Sequence, residues 1–160
     1  LEETEYLDRC RLKTARLFEA ACVLGRDSVG GGDGDVVALF GHRIGLAFQM
    51  LDDVLDIAGP VERTGKARGT DLLDGTVTLP FIEAAKVDPT LRDYDLASLD
   101  EVAAETLCDR ISATGALDSV RSRAMGLIEE AKAGLTGTAI EPGQRKLLDL
   151  IADGVVLRYS

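Results

Sequence analysis

Basic residues, close cysteine pairs, aromatic rings and long apolar runs are all scarce in this chain, and each scarcity closes a functional class. Lys and Arg number 18 against 28 Asp and Glu, for a net charge of −10. That balance argues against a nucleic-acid surface, where basic patches dominate affinity. An anionic substrate must enter through a local exception. The three cysteines, Cys10, Cys22 and Cys108, are odd in number and lack close pairs. A disulfide framework or zinc knuckle is therefore not expected, and reduced thiols in a cytoplasmic protein are. No apolar run of about 18 residues is present to span a bilayer, and no signal-peptide pattern opens the chain. No segment alternates with period two, which leaves an all-α class.

Several familiar sites are missing too. Gly30-Gly31-Gly32 lacks the Gly-Lys-Ser/Thr ending of a phosphate-binding loop, and the strand that a dinucleotide fold requires is absent. Asp33-Gly34-Asp35 fails as a calcium loop because Val36 to Leu39 supply no further ligands. No Gly-x-Ser-x-Gly elbow occurs.

What remains is helical. The chain's 160 residues, 46% of them hydrophobic, suit one domain over residues 1–160 with a core that needs no staples. Apolar Leu7, Leu12, Ala15, Leu17, Phe18 and Val23 recur at helical spacing over residues 2–24, with Gly25 as the expected stop. A second helix is expected over 35–58, capped by Asp33 or Asp35. Residues 59–76 read as a loop, and 77–86 as a short helix with Pro80 in its first turn. A fourth helix over 98–113 opens on Ser98 and Glu101, a capping-box pattern. A fifth follows over 116–135, with Leu117, Val120, Ala124, Leu127, Ile128 and Ala131 on one stripe. The sixth, 142–157, has Leu147, Leu148, Leu150 and Ile151 to bury.

The most informative stretch is Phe48-Gln49-Met50-Leu51-Asp52-Asp53-Val54-Leu55-Asp56. On a helix Asp52 and Asp56 share a face, with Gln49 one turn back. Like charges so placed repel, which points to a bound cation. The flanking apolar residues leave no broad polar side, so the acids are expected to face inward. A diphosphate can be held by carboxylates only through hard cations, and magnesium with oxygen ligands is the natural bridge. Lys66, between Gly65 and Ala67, follows in a loop where backbone amides can also meet an anion. Lys13 and Thr14, on the first helix, add an ammonium and a hydroxyl. His42 is read as a packing residue.

Taken in order, Lys13-Thr14-Ala15, Phe48-Gln49 leading into Asp52-Asp53-x-x-Asp56, Gly65-Lys66-x-x-Gly69-x-Asp71-Leu72 and Thr78-Leu79-Pro80 resemble the trans-isoprenyl diphosphate synthases, or polyprenyl synthetases. The likeness is to the carboxyl-terminal half of that family and covers nearly the whole chain. It implies an antiparallel helical bundle of the isoprenoid synthase type, here about six helices of it, around a deep apolar cavity. It also implies a prenyltransferase that condenses isopentenyl diphosphate with an allylic prenyl diphosphate. By the resemblance Asp52 is a direct Mg2+ ligand, and Asp53 and Asp56 complete the second aspartate-rich motif directly or through water. Lys13 and Lys66 would contact the allylic diphosphate and, with Asp52 and Asp53, form the catalytic set. Gln49 would orient groups beside it, and Thr14 and Phe48 would line the meeting place of chain and isopentenyl unit. With few aromatics, the cavity would be walled by Leu, Val, Ile and Ala.

The family's first aspartate-rich motif and its isopentenyl-binding basic residues do not occur in these 160 residues, and Thr76 stands where many members have lysine. The chain is therefore expected to be inactive alone. It is expected to need an amino-terminal fragment or subunit carrying the first motif, with homodimer or heteromer formation and possible peripheral membrane contact for product release. The start at Leu1, inside a continuous helical pattern, leads to the expectation that something precedes it. The alternative expectation is a non-catalytic regulatory or structural subunit of a heteromeric synthase. A terpene cyclase ranks last, because second motifs there mix Asn, Ser and Glu. The tail at Arg158 reads as a solvated terminus.

Overall fold

The computed structural model describes residues 2–29, 33–59 and 68–159. Among them there is no strand, and the chain is all-helical as its periodicity implies. Helix α1 (Glu3–Cys10) runs through a π-helical segment (Arg11–Ala15) into α2 (Arg16–Ser28), and α3 spans Gly34–Ala58. After these come a short α4 (Thr70–Leu73), α5 (Leu79–Val87) and two 3-10 turns (Pro89–Asp93 and Leu96–Ser98). Helices α6 (Glu101–Ala113), α7 (Ala116–Gly134) and α8 (Pro142–Arg158) complete the order.

The chain divides into two compact units, one formed by Leu1–Tyr6 with Met50–Ser122 and the other by Leu7–Gln49 with Arg123–Ser160. In the first unit, α4 and α5 both pack against α6, and fully buried Tyr6, Ile57, Leu72, Leu79, Leu91, Leu107 and Ile111 form the core. Each such side chain contributes about 1.5–3 kcal/mol by leaving water. In the second unit the core comprises Ala15, Phe40, Ile44, Ala47, Ile128, Leu135 and Ala152. Of the stripe expected of α7, Leu117, Val120, Ala124, Ile128 and Ala131 are buried and Leu127 is half-buried.

Local chemistry explains where helices begin and end, and several expectations need correction. Gly25 does not end the first helix, which continues to Ser28; an interior glycine costs only about 1 kcal/mol, too little to stop a helix by itself. Asp100, not Ser98, caps α6: its side chain accepts the Ala103 amide at 2.8 Å. Ser98 is taken up by the preceding turn, where its hydroxyl donates to the Asp95 carbonyl at 3.1 Å. Asp33 opens α3 with its backbone, its carbonyl accepting the amides of Val36 and Val37, while its side chain accepts the Ala139 amide at 2.8 Å. The stretch read as a loop before α5 contains α4.

The largest discrepancy concerns which faces are buried. Leu12 and Leu17, expected in the core, are 66% and 69% exposed, and no residue of α2 is fully buried. For Leu17, which follows it, the π segment is a cause. Its extra residue per turn rotates everything after it relative to a strict 3.6-residue repeat, so one periodic stripe cannot describe both flanks. Leu147, Leu150 and Ile151 of α8 are exposed as well, the buried positions being Ala152 and Val155.

Candidate functional site

The acidic turn lies in the first unit, near the carboxyl end of α3. Its three carboxylates are in different surroundings. Asp52 is half-exposed. Asp53 is 3% exposed, and its Oδ2 accepts a 2.7 Å hydrogen bond from the Tyr6 hydroxyl, which is itself fully buried. Asp56 accepts the backbone amides of Thr70 at 3.1 Å and Asp71 at 3.2 Å, so that it secures the first turn of α4. Its carboxyl is pushed up to about 6, chiefly by burial and then by the nearby charge of Asp71, with a smaller push from Asp52. The two amide bonds only partly offset this.

Arg68 and Gly69 are clamped to the same helix end. The Gly69 amide donates to the Asp56 carbonyl at 2.9 Å, and Arg68 Nε donates to the Ile57 carbonyl at 2.9 Å. Arg68 also reaches Asp109 at 2.9 Å. Gly69 adopts φ 73°, and a Cβ there would sit 2.8 Å from Cys108 Sγ, so the close passage requires glycine. Asp56 thus has a structural task that the spacing of the acids does not reveal. Lys66 lies outside the described residues. Thr76 donates its amide to the Asp71 carbonyl at 2.7 Å.

In the second unit, the π segment presents Thr14 against α3. Lys13 is exposed and Thr14 buried. The Thr14 hydroxyl donates to Gln49 Oε1 at 2.7 Å, and Gln49 is itself buried. Two glycines of α3 make this approach possible. A Cβ on Gly45 would lie 2.6 Å from Ala15 Cα, and one on Gly41 2.6 Å from the Phe18 carbonyl oxygen. Gly41, Gly45 and Gln49 recur every four residues along one face. Their spacing was a signal of close helix contact available in the sequence.

Phe48 is half-buried within an aromatic group that sequence reasoning missed. Its ring centroid is 5.6 Å from Phe18 and 5.9 Å from Tyr159, and the Arg158 guanidinium lies 5.0 Å from it. The tail is therefore not simply solvated, since Arg158 stacks on Phe48 and Tyr159. One turn before Phe48, Ile44 borders an apolar cavity of about 460 Å3 lined also by Phe18, Cys22, Phe40, Leu148 and Ile151. Burial raises the Cys22 thiol above its ordinary value, which suits a lining role rather than a reactive one. His42 is half-exposed with Nδ1 3.6 Å from Glu19.

Residues 1–107 match the polyprenyl synthetase family. The chain belongs to that family. It is 36% identical over 158 residues to the geranylgeranyl diphosphate synthase of Methanosarcina mazei, covering 98% of this chain and 48% of that protein. Over 81 residues it is 48% identical to heptaprenyl diphosphate synthase component 2 of Geobacillus stearothermophilus, covering 49% of this chain and 25% of the other. Among solved structures, polyprenyl synthase from Caulobacter crescentus, complexed with calcium and isoprenyl diphosphate, superposes with a TM-score of 0.87 at 32% identity. That match covers all of this chain and 51% of the other, so the fold is the isoprenoid synthase helical fold. The chain spans about half the length of the relatives it matches along its whole length.

Among the described residues, no three acids, histidines or cysteines converge on one ion position. No helix among them is long and apolar enough to cross a membrane.

Proposed function

We propose that this polyprenyl synthetase chain supplies the second acidic motif of a prenyltransferase that condenses isopentenyl diphosphate with an allylic prenyl diphosphate. The observation that carries the reading is one turn of α3 that sets a buried Asp53 beside a half-exposed Asp52. Asp53 is buried, and Asp56 is forced toward its protonated form by burial and by the charges of Asp71 and Asp52. A cation beside these carboxylates would relieve that strain, so the donor set suits Mg2+. An all-protein cage is not required, because Mg2+ usually keeps water and binds through one or two carboxylates plus substrate phosphates. Asp52 is the foremost candidate ligand, with Asp53 and Asp56 completing the motif. When bound, the metal would neutralise charge that develops on the leaving diphosphate.

The chain's own residues have further parts in this reading. Lys13 and Lys66 contact the allylic diphosphate and stabilise it most as the carbon–oxygen bond breaks. Gln49, fixed by Thr14, orients groups beside it. Phe48 borders the meeting point with the isopentenyl unit, and the apolar cavity beyond Ile44 offers water-free wall for a prenyl tail. The new carbon–carbon bond forms at the ionised allylic carbon, and the departing proton passes to the released diphosphate. Exposed Leu17 and Leu24, on a helix with no buried residue, and exposed Leu12 in the π segment before it favour a covering polypeptide. We assign that cover to the complement that carries the first aspartate-rich motif, in a cytoplasmic homodimer or heteromer built on residues 1–160 as one partial synthase fold.

The test mixes this chain with such a complement, Mg2+, an allylic diphosphate and labelled isopentenyl diphosphate. Elongation should require both polypeptides, and Asp52→Ala should lower turnover by orders of magnitude without lowering the melting temperature. Full elongation with Asp52→Ala would instead favour a regulatory subunit.

A further inference from the structure

Tyr6 has no part in any motif of the sequence, yet its hydroxyl makes a fully buried contact with the acidic turn. The phenol donates to Asp53 Oδ2 at 2.7 Å, with Tyr6 at 0% and Asp53 at 3% exposure. Both residues belong to the same compact unit. An O–H donor to a carboxylate is among the stronger hydrogen bonds, and away from water it fixes the acceptor in one direction. Leaving a buried carboxylate oxygen without that donor carries a desolvation penalty, so the contact is costly to break.

Its place along the helix makes the contact more than a tie between elements. Successive helical residues point about 100° apart, so Asp52 and Asp53 project from adjacent faces of α3. Fixing Asp53 from α1 sets the rotation of that turn, and with it the direction in which half-exposed Asp52 projects. We propose that Tyr6 is a positioning residue: through its hydrogen bond to Asp53 it aims the acidic turn at the cation. This inference rests on the assignment of Asp52 as a cation ligand. It adds a residue on another helix that is not itself a ligand and whose loss should weaken cation binding through Asp53.

The experiment is Mn2+ binding by electron paramagnetic resonance, on the 160-residue chain with inorganic diphosphate. Wild type, Tyr6→Phe, Asp53→Asn and the double variant are compared, each with its melting temperature. Tyr6→Phe should weaken Mn2+ about tenfold, the lower end for removing a group that orients a metal ligand. The double variant should bind no more weakly than Asp53→Asn, since Tyr6 acts through Asp53. A second measurement needs no variant: in wild type labelled with 13C at tyrosine Cζ, the Tyr6 resonance should move when Mg2+ and diphosphate are added together. Should Tyr6→Phe fail to fold, this resonance decides the matter. Undiminished Mn2+ affinity in a folded Tyr6→Phe, additive effects, or a stationary Tyr6 resonance overturns the proposal alone. A wild-type chain that binds no Mn2+ with diphosphate overturns the Asp52 assignment as well.

Discussion

Two of the three motif aspartates have partners that a helical wheel does not show. Asp53 takes the Tyr6 hydroxyl, and Asp56 takes two amides of the returning chain. Spacing on a helix tells which side chains share a face; it says nothing of a tyrosine nearly fifty positions away, because that contact is a product of tertiary packing. Elsewhere the residue scale gives sharper tests. The Thr78 hydroxyl is buried and has no hydrogen-bond partner among the described residues. Thr78→Val keeps its shape and removes the stranded group, so stability should rise by about 1 kcal/mol, measured by denaturant unfolding. Asp88 is held below the usual carboxylate range, first by the Thr90 hydroxyl and then by Arg110. The sign follows: a lowered folded value means the folded state favours the charged form. Its stabilisation is complete above the ordinary value of 3.8 and fades as pH falls through the lowered one. Asp88→Ala should therefore lower the melting temperature slightly at neutral pH, and the difference should vanish in strong acid.

At the scale of elements, the helices were legible and their faces only partly so. The α7 stripe was read correctly because the helix is regular from end to end. The α1 to α2 face was misread because the π segment at Arg11–Ala15 breaks the repeat, and hydrophobic period carries no sign of an inserted residue. That segment also carries Lys13 and Thr14, which we propose as site residues, and π bulges are frequent at functional sites. The Gly41 and Gly45 spacing, by contrast, was open to reading. Gly45→Ala would press a Cβ onto the Ala15 backbone, from which no flexible side chain can retreat. It should cost about 1–3 kcal/mol in thermal or denaturant unfolding and weaken the Thr14 to Gln49 contact. Equal stability of wild type and variant would mean that α2 and α3 do not approach so closely.

For the whole molecule, charge and extent set the terms. A protein with net charge −10 repels a free diphosphate, so a bound cation would be a local exception that admits one. The fold and family were readable from composition, period and ordered motifs, since these depend on local sequence. The amino-terminal complement was expected from the resemblance alone, because local sequence describes this chain and not a partner. The central claim is that the acidic turn of α3 holds a diphosphate through a divalent cation. Its most direct test is calorimetric titration of this chain with inorganic diphosphate, with and without Mg2+, for wild type and Asp52→Ala. The account predicts heat of binding only with Mg2+, and at least a tenfold loss of affinity in a variant that melts like wild type. Binding that needs no Mg2+, or that survives Asp52→Ala unchanged, would contradict it.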